Sequence, residues 1–203
     1  MVDPDSSDAA LMLDVAEGDE LAFNALVERY ERPLLNFIGR YVGEYHLARD
    51  LYQETFLRVY CAARSYNPAR KFSTWLFQIA ANLSIDELRR RKVLRPLEVD
   101  LQADLALEGL SETVQTHRLS RDKQRLAAAE DPAQMVERKE LTERVQAAIQ
   151  ALPSDDRLVL VLRHYQGFSY QEISEILQCP VGTVKSRLHY ALQALKQRLL
   201  VEE

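Results

Sequence analysis

The sequence predicts an all-α protein: two small helical domains joined by a flexible acidic linker, with a helix-turn-helix in the second. Three observations lead there. Only six glycines occur in 203 residues, and Leu, Ala, Glu, Arg and Gln abound. These are helix formers, and the Gly/Asn dipeptides that start hairpins are missing. Apolar residues recur at helical spacing on both sides of a mid-chain stretch that changes composition. The hydrophobic fraction of 47% is ordinary for a globular core.

The first domain is expected over 8–95. In "LAFNALVERYERPLLNFIGRY", Leu21, Leu26, Leu34, Leu35, Phe37 and Ile38 recur as a helical stripe. Gly43 interrupts, and a second helix runs through "HLARDLYQETFLRVYCAARSY". Asn67-Pro68 marks a turn, because proline disfavours the helical conformation in the residue before it. Ser73 or Thr74 is expected to cap the next helix, "KFSTWLFQIAANLSIDELRRRK". Its Phe72, Leu76, Ile79 and Leu83 should face the core.

The linker is expected over 96–134. From Pro96 to Thr116 it carries Glu98, Asp100, Asp104, Glu108 and Glu112, with no lysine, arginine or aromatic residue. Such a stretch buries too little to hold a fold. "RDKQRLAAA" is a candidate short helix, and Asp131-Pro132 restarts order.

The second domain is expected over 135–200, with at least four helices. "MVERKELTERVQAAIQAL" is amphipathic, and Ser154 after Pro153 is a candidate cap for "SDDRLVLVLRHY". Ser169 and Glu172 stand in capping-box spacing. Pro180 precedes the last helix, where a missing N–H is harmless. The pair "SYQEISEILQCPVGTVKSRLHYAL" has helix-turn-helix form, turning at Gln178, Cys179 and Pro180. Ile173, Ile176, Leu177, Val184, Leu188 and Leu192 would hold its helices together.

Global acidity, with a net charge of −5, argues against a nucleic-acid partner, but charge is clustered. Residues 181–200 contain Lys185, Arg187, Lys196 and Arg198 and no acid. That helix has the character of one that enters a major groove. In the helix from Phe72, the stripe Trp75, Gln78, Asn82 and Arg89 suits single-stranded DNA: bases stack on aromatics for roughly 1–3 kcal/mol each, and cations follow phosphates. The preceding loop adds Tyr66, Asn67, Arg70 and Lys71, suited to an unstacked base. Core burial of Trp75 stays open as the other reading, and Asp86 is placed to pair with Arg89 and Arg90. On "DLYQETFLRVY", Leu51, Phe56 and Val59 can be buried, while Asp50, Gln53, Glu54 and Leu57 share another face. That face is either a docking patch or simply solvated.

Cys61 and Cys179 match neither zinc-site nor disulfide spacing, so a reducing interior is expected. The acidic start "MVDPDSSDAALML" lacks a signal peptide's basic region, and no apolar run reaches the ~18–20 residues of a membrane span. The expectation is a cytoplasmic protein without direct membrane insertion. No metal cluster, nucleophile–base pair or phosphate-cradling glycine loop is recognisable, so no catalytic residue, cofactor or enzyme activity is expected.

Together these motifs resemble a bacterial RNA polymerase sigma factor of the extracytoplasmic-function (ECF) group. "DLYQETFLRVY" is similar to the region-two segment that binds core polymerase, "FSTWLFQIAANLSIDELRRRK" to the segment that melts and reads the −10 element, and the stretch from "ALPSDDRLVLVLRHY" to "HYALQALK" to region four, which reads the −35 element. The resemblance implies that Asp50, Gln53, Glu54 and Leu57 contact core RNA polymerase. It places Asn67, Lys71, Phe72, Ser73, Trp75, Asn82, Arg89 and Arg90 at or near the −10 strand. Thr183, Lys185, Ser186, Arg187, His189 and Tyr190 would meet the −35 duplex. It also implies promoter DNA and an anti-sigma factor, often membrane-anchored, as partners. The linker of 39 residues spans at most ~130 Å extended and ~35 Å as a coil, against roughly 70 Å for two turns of DNA. It either threads toward the polymerase cleft or serves as a plain tether. A freestanding helix-turn-helix regulator is the competing reading; it would bind duplex without polymerase.

Overall fold

The computed structural model describes residues 6–94 and 132–200, with side chains over 6–93 and 140–200. Eight α-helices make up the described residues: α1 (Asp8–Glu17), α2 (Glu20–Val42), α3 (Tyr45–Cys61), α4 (Phe72–Leu94), α5 (Pro132–Gln150), α6 (Ser154–Leu160), α7 (Tyr170–Leu177) and α8 (Val181–Leu200). A 3-10 turn, Ala63–Ser65, follows α3, and a π-turn, Val161–Tyr165, continues α6. No strand occurs among the described residues. Most of the linker expected over 96–134, and the short helix expected in "RDKQRLAAA", lie outside the described residues.

Local chemistry sets most helix ends. Ser7 and Asp19 accept first-turn N–H groups of α1 and α2, as short polar side chains do at an N-terminus. Gly18 and Gly43 close those helices in the left-handed conformation, at φ +99° and +80°. The capping box on α7 forms as expected: Ser169 Oγ accepts from Glu172 N, and Ser169 N donates to Glu172 Oε2 at 2.9 Å. Two expected caps do not form. α4 starts at Phe72, so Ser73 and Thr74 lie inside its first turn. α6 starts at Ser154 with Pro153 at the cap position, whose carbonyl accepts from Arg157 N.

The first four helices wrap around Leu26, Leu34, Phe37, Ile38, Phe72, Leu76 and Phe77, all buried. α5–α8 surround Leu158, Val161, Ile173, Ile176, Val184 and Leu188, also buried. Two apolar residues assigned to these cores are exposed instead. Leu21 sits at the start of α2, and Leu192 yields its inward position to Ala191 one step earlier on α8. Leu35, Ile79 and Leu177 are half-buried at the margins.

The two halves are not separate: their buried residues form one contiguous apolar cluster. Phe77 of α4 meets Phe168, before α7, edge-on at 5.0 Å between ring centres. Such a pair contributes about 0.5–1.5 kcal/mol beyond its burial. The run Leu158–Leu162 is buried residue after residue, because its helix packs on α8 on one side and on α2 on the other. A polar clasp lies beside it. Gln150 Nε2 donates to the Arg40 carbonyl at 2.6 Å, while Arg40 donates to Gln146 Oε1 at 3.1 Å and stacks over the Tyr165 ring at 3.9 Å. Arg157, 9% exposed, donates to the side-chain and main-chain oxygens of Gln150 and lies 5.3 Å from the centre of the Tyr41 ring.

Gly43 is required twice over. A Cβ there would stand 2.7 Å from Gln150 Cδ and Oε1, and the positive φ penalises any L side chain. Gly43→Ala should therefore cost about 1–2 kcal/mol in backbone strain, lowering Tm by roughly 2–8 °C, and should displace Gln150 from Arg40. In a Gln150→Ala background the same substitution should cost less, since only the backbone strain remains. Thermal unfolding of the four proteins of this cycle measures both terms.

Candidate nucleic-acid and polymerase interfaces

Three surfaces carry the residues singled out in the sequence. The first lies on α3. Leu51, Phe56 and Val59 are buried, and Asp50, Gln53 and Leu57 point outward, Leu57 with 57% of its surface exposed. Glu54 is half-buried and pairs with Arg58 at 2.9 Å. Tyr60, one turn beyond Leu57 and 46% exposed, extends this face. It is held by an edge-on contact with Phe23 at 5.1 Å. Sequence reasoning missed Tyr60, because its anchor lies on another helix.

The second surface is the loop between the 3-10 turn and α4. Asn67 folds it, its Oδ1 accepting from Ala69 N at 3.0 Å and its carbonyl from Arg70 N at 3.0 Å. Buried Tyr66 closes it by donating from its hydroxyl to the Arg70 carbonyl at 2.7 Å. Beside the loop lies an open hollow of about 330 Å³ lined in part by Asp8, Tyr66, Arg70, Lys71, Phe72 and Ser73. Phe72 is buried, in keeping with its place on the core-facing stripe of α4. Trp75 is half-buried, its ring 5.1 Å from that of Tyr66 and 6.1 Å from that of Phe72. Trp75 is thus neither fully buried in the core nor fully exposed, and it packs behind Tyr66 and Phe72, two residues of the cavity wall. Asp8, from the far end of the domain, reaches this site unforeseen.

Further along α4, Asn82 and Arg89 are exposed. The acid that neutralises part of the cation run is Glu87, not Asp86. Glu87 accepts from Arg90 at 2.7 Å and from Arg91 at 2.9 Å, one turn ahead of each, and Arg91 also pairs with Glu44. Burial alone would raise the Glu87 pKa; the two arginines outweigh it and hold the group below its usual range. Arg89 forms no ion pair among the described residues. It lines a cleft of about 1080 Å³ between α2, the end of α4 and the start of α6, together with Tyr41, Ile85 and Leu88.

The third surface is α8. Its turn from α7 passes through Gln178 in the left-handed conformation (φ 51°), and Ser174 Oγ donates to the Cys179 carbonyl at 2.6 Å. That fixes the angle at which α8 leaves. Lys185, Ser186, His189 and Tyr190 are exposed and Thr183 is half-buried. Lys185 sits 5.9 Å from the centre of the Tyr170 ring, while Arg187 is held by Asp155 at 2.5 Å.

Between the second and third surfaces runs a direct link. Lys71 Nζ donates to Glu172 Oε1 at 2.7 Å. Glu172 is pulled down to a pKa of about 2, first by this hydrogen bond and then by the N–H and hydroxyl of Ser169.

Two family models match the chain: Sigma-70 region 2 over residues 26–93 and Sigma-70, region 4 over residues 142–195. The chain is 37% identical over 185 residues to the ECF RNA polymerase sigma factor SigW of Bacillus subtilis, covering 91% of this chain and 92% of that protein. It belongs to the ECF sigma factors of the sigma-70 family. The RNA polymerase sigma-H factor of Pseudomonas aeruginosa is 36% identical over 194 residues, covering 95% and 93%. Among solved structures, CnrH in complex with the cytosolic domain of CnrY superposes with a TM-score of 0.66 at 23% identity, covering 98% and 100% of the two chains. The sigma factor RpoE in complex with the anti-sigma factor NepR from Bartonella quintana gives 0.63 at 21%, covering 89% and 98%. Those two likenesses establish the fold.

As an ECF sigma factor the protein binds core RNA polymerase and directs promoter-specific initiation. Its work is recognition of DNA; sigma factors are generally not enzymes. No helix among the described residues is long and apolar enough to cross a membrane.

Because Glu172 is depressed below its ordinary value of 4.5, it contributes stability above that value. The contribution is lost as pH falls from 4.5 toward 2. Lys71→Met should raise the Glu172 pKa, yet leave it below 4.5 because the Ser169 bonds persist. Carboxyl titration by NMR reads both results.

Proposed function

We propose that the three surfaces divide the labour of initiation, and that the arrangement described above is a closed state of the sigma factor. Asp50, Gln53, Glu54 and Leu57, extended by Tyr60, bind core polymerase. The loop cavity with Lys71, Ser73 and Trp75 takes an unstacked base of the −10 strand. Phe72 and Asn67 build that cavity, while Asn82, Arg89 and Arg90 track the strand's phosphates. Thr183, Lys185, Ser186, Arg187, His189 and Tyr190 meet the −35 duplex. The domain limits 8–95 and 135–200 follow this division.

The Lys71–Glu172 contact carries the closed-state reading. One partner belongs to the −10 surface and the other to the helix-turn-helix, side by side, whereas two helical turns of promoter separate their targets by roughly 70 Å. Arg187 is held by Asp155 within the α5–α8 half, independently of that contact. The chain must open along the α2/α4 seam to use both surfaces together. RpoE of Bartonella quintana and CnrH are each captured with a partner, the anti-sigma factor NepR and the cytosolic domain of CnrY. By that likeness an anti-sigma factor that stabilises the closed form is the natural regulator of this chain, in the cytoplasm or at the membrane surface.

Distances between spin labels on α3 and α8, measured for the free chain and for the holoenzyme on promoter DNA, test the reading. A long distance in the free chain, or no lengthening on assembly, overturns it. Run-off transcription that starts at the same sites without added sigma overturns the assignment to initiation. Leu57→Asp should weaken core-polymerase binding about tenfold or more by placing a charge in an apolar contact, read as a dissociation constant. Lys185→Ala should lower the slope of log affinity against log salt for −35 duplex by about one.

A further inference from the structure

We propose that Ser174 is a positioning residue for −35 recognition: its hydroxyl, bonded across the turn, sets the pose of α8 and thereby the base selectivity of that helix. This rests on the proposed reading of α8 as the −35 surface. Ser174 lies on α7, outside the residues assigned to either DNA surface.

The hydrogen bonds of the turn converge on this residue. The Ser174 carbonyl accepts from Gln178 N and from Cys179 N at 3.1 Å. Its half-buried hydroxyl donates to the Cys179 carbonyl at 2.6 Å. The peptide joining Cys179 to Pro180 has no N–H, because proline lacks one, so that carbonyl is its polar handle. Pro180 then starts α8, its own carbonyl accepting from Thr183 N at 2.9 Å and from Val184 N at 3.2 Å. A planar peptide and a proline with fixed φ transmit position with little slack. Ser174 is thereby coupled to the first turn of the reading helix.

The turn is strained, and the core alone does not fix its angle. Gln178 is the one non-glycine residue with a positive φ among the described residues, at 51°, a conformation that a Cβ disfavours. Ile173, Ile176, Val184 and Leu188 press the two helices together, but apolar attraction is non-directional. The hydroxyl bond supplies direction. Its effect grows with distance along α8. Tyr190 stands about 15 Å along the helix from Pro180, so a tilt of about 10° would carry it roughly 2–3 Å sideways. Such a shift breaks hydrogen bonds to base edges, whose useful range is only a few tenths of an ångström. Non-specific attraction to the duplex is electrostatic and tolerates it. The hydroxyl thus acts on selectivity more than on bare affinity.

The test uses holoenzyme reconstituted with the full chain and promoter fragments randomised at the −35 and −10 regions, with bound fragments sequenced. Ser174→Ala removes only the hydroxyl and suits a helix interior. It should lower enrichment of the selected −35 sequence about fivefold, the worth of one ordinary hydrogen bond, and leave −10 enrichment unchanged. Ser174→Thr, which keeps the hydroxyl, should retain the −35 enrichment. Gln178→Gly removes the left-handed strain; added to Ser174→Ala, it should leave −35 enrichment low. Recovery in that double variant means the hydroxyl only offsets strain, and overturns the positioning role. Unchanged −35 enrichment in Ser174→Ala, an equal fall at −35 and −10, or failure of Ser174→Thr to retain enrichment overturns it as well. Each of those results leaves the −35 reading of α8 standing. A wild-type holoenzyme that enriches no −35 sequence overturns both.

Discussion

The seam between the α2/α4 face and the α6/α7 face is the constraint on which the rest of the molecule depends. Neither half closes its core alone. Phe77 packs on Phe37 at 5.2 Å and meets Phe168 edge-on across the seam at 5.0 Å, and Leu158–Leu162 would expose one side of their helix without α2 behind them. Around this apolar centre lie groups that water can replace: the Gln150 clasp, the Arg40 stack and the Lys71–Glu172 pair. An apolar centre ringed by polar pairs is the build of an interface between domains of one chain. That is the balance a protein needs if it must hold itself shut and still be opened by a larger partner.

On the proposed closed-state reading, the same seam withholds the recognition surfaces without burying them. Leu57, Tyr190 and His189 are exposed, so on that reading first contact with polymerase or duplex needs no prior rearrangement. On the proposed reading, what is withheld is geometry, together with one cation: Lys71 is committed to Glu172 across the seam, while Arg187 is held by Asp155 within the α5–α8 half. Each pair keeps one partner largely exposed, Lys71 at 73% and Asp155 at 54% of its side chain, and such pairs are individually weak and screened by salt. Phosphates can therefore compete for these cations.

Features that depend on residues a turn apart were legible in the sequence. The Ser169–Glu172 box, the break at Gly43, the turn at Gln178 and the outward face of α3 all follow from local spacing. What local spacing lacks is direction in three dimensions. Ser73 and Thr74 look like caps, but Phe72 is drawn inward by Tyr30 and Tyr66 and starts the helix one residue earlier. Asp86 and Glu87 are equally well spaced from arginines; only burial on the α2 side decides for Glu87. Asp8 reads as an ordinary first-turn acid, because the cavity it walls is assembled by a loop some sixty residues away. One long-range signal was present and passed over. Five consecutive apolar residues in "LVLVL" are too many for a helix with a single covered face, and they announce a second neighbour.

Glu172 serves two tasks with separate oxygens: Oε2 finishes the N-terminus of α7, and Oε1 reaches across to Lys71. Withdrawing Lys71 leaves the first task untouched. In the proposed opening, the first helix of the duplex-reading pair therefore stays formed when the halves part, as one solid piece swinging from another. Engagement with DNA begins from a preassembled reading head, so no coil-to-helix ordering slows the first encounter.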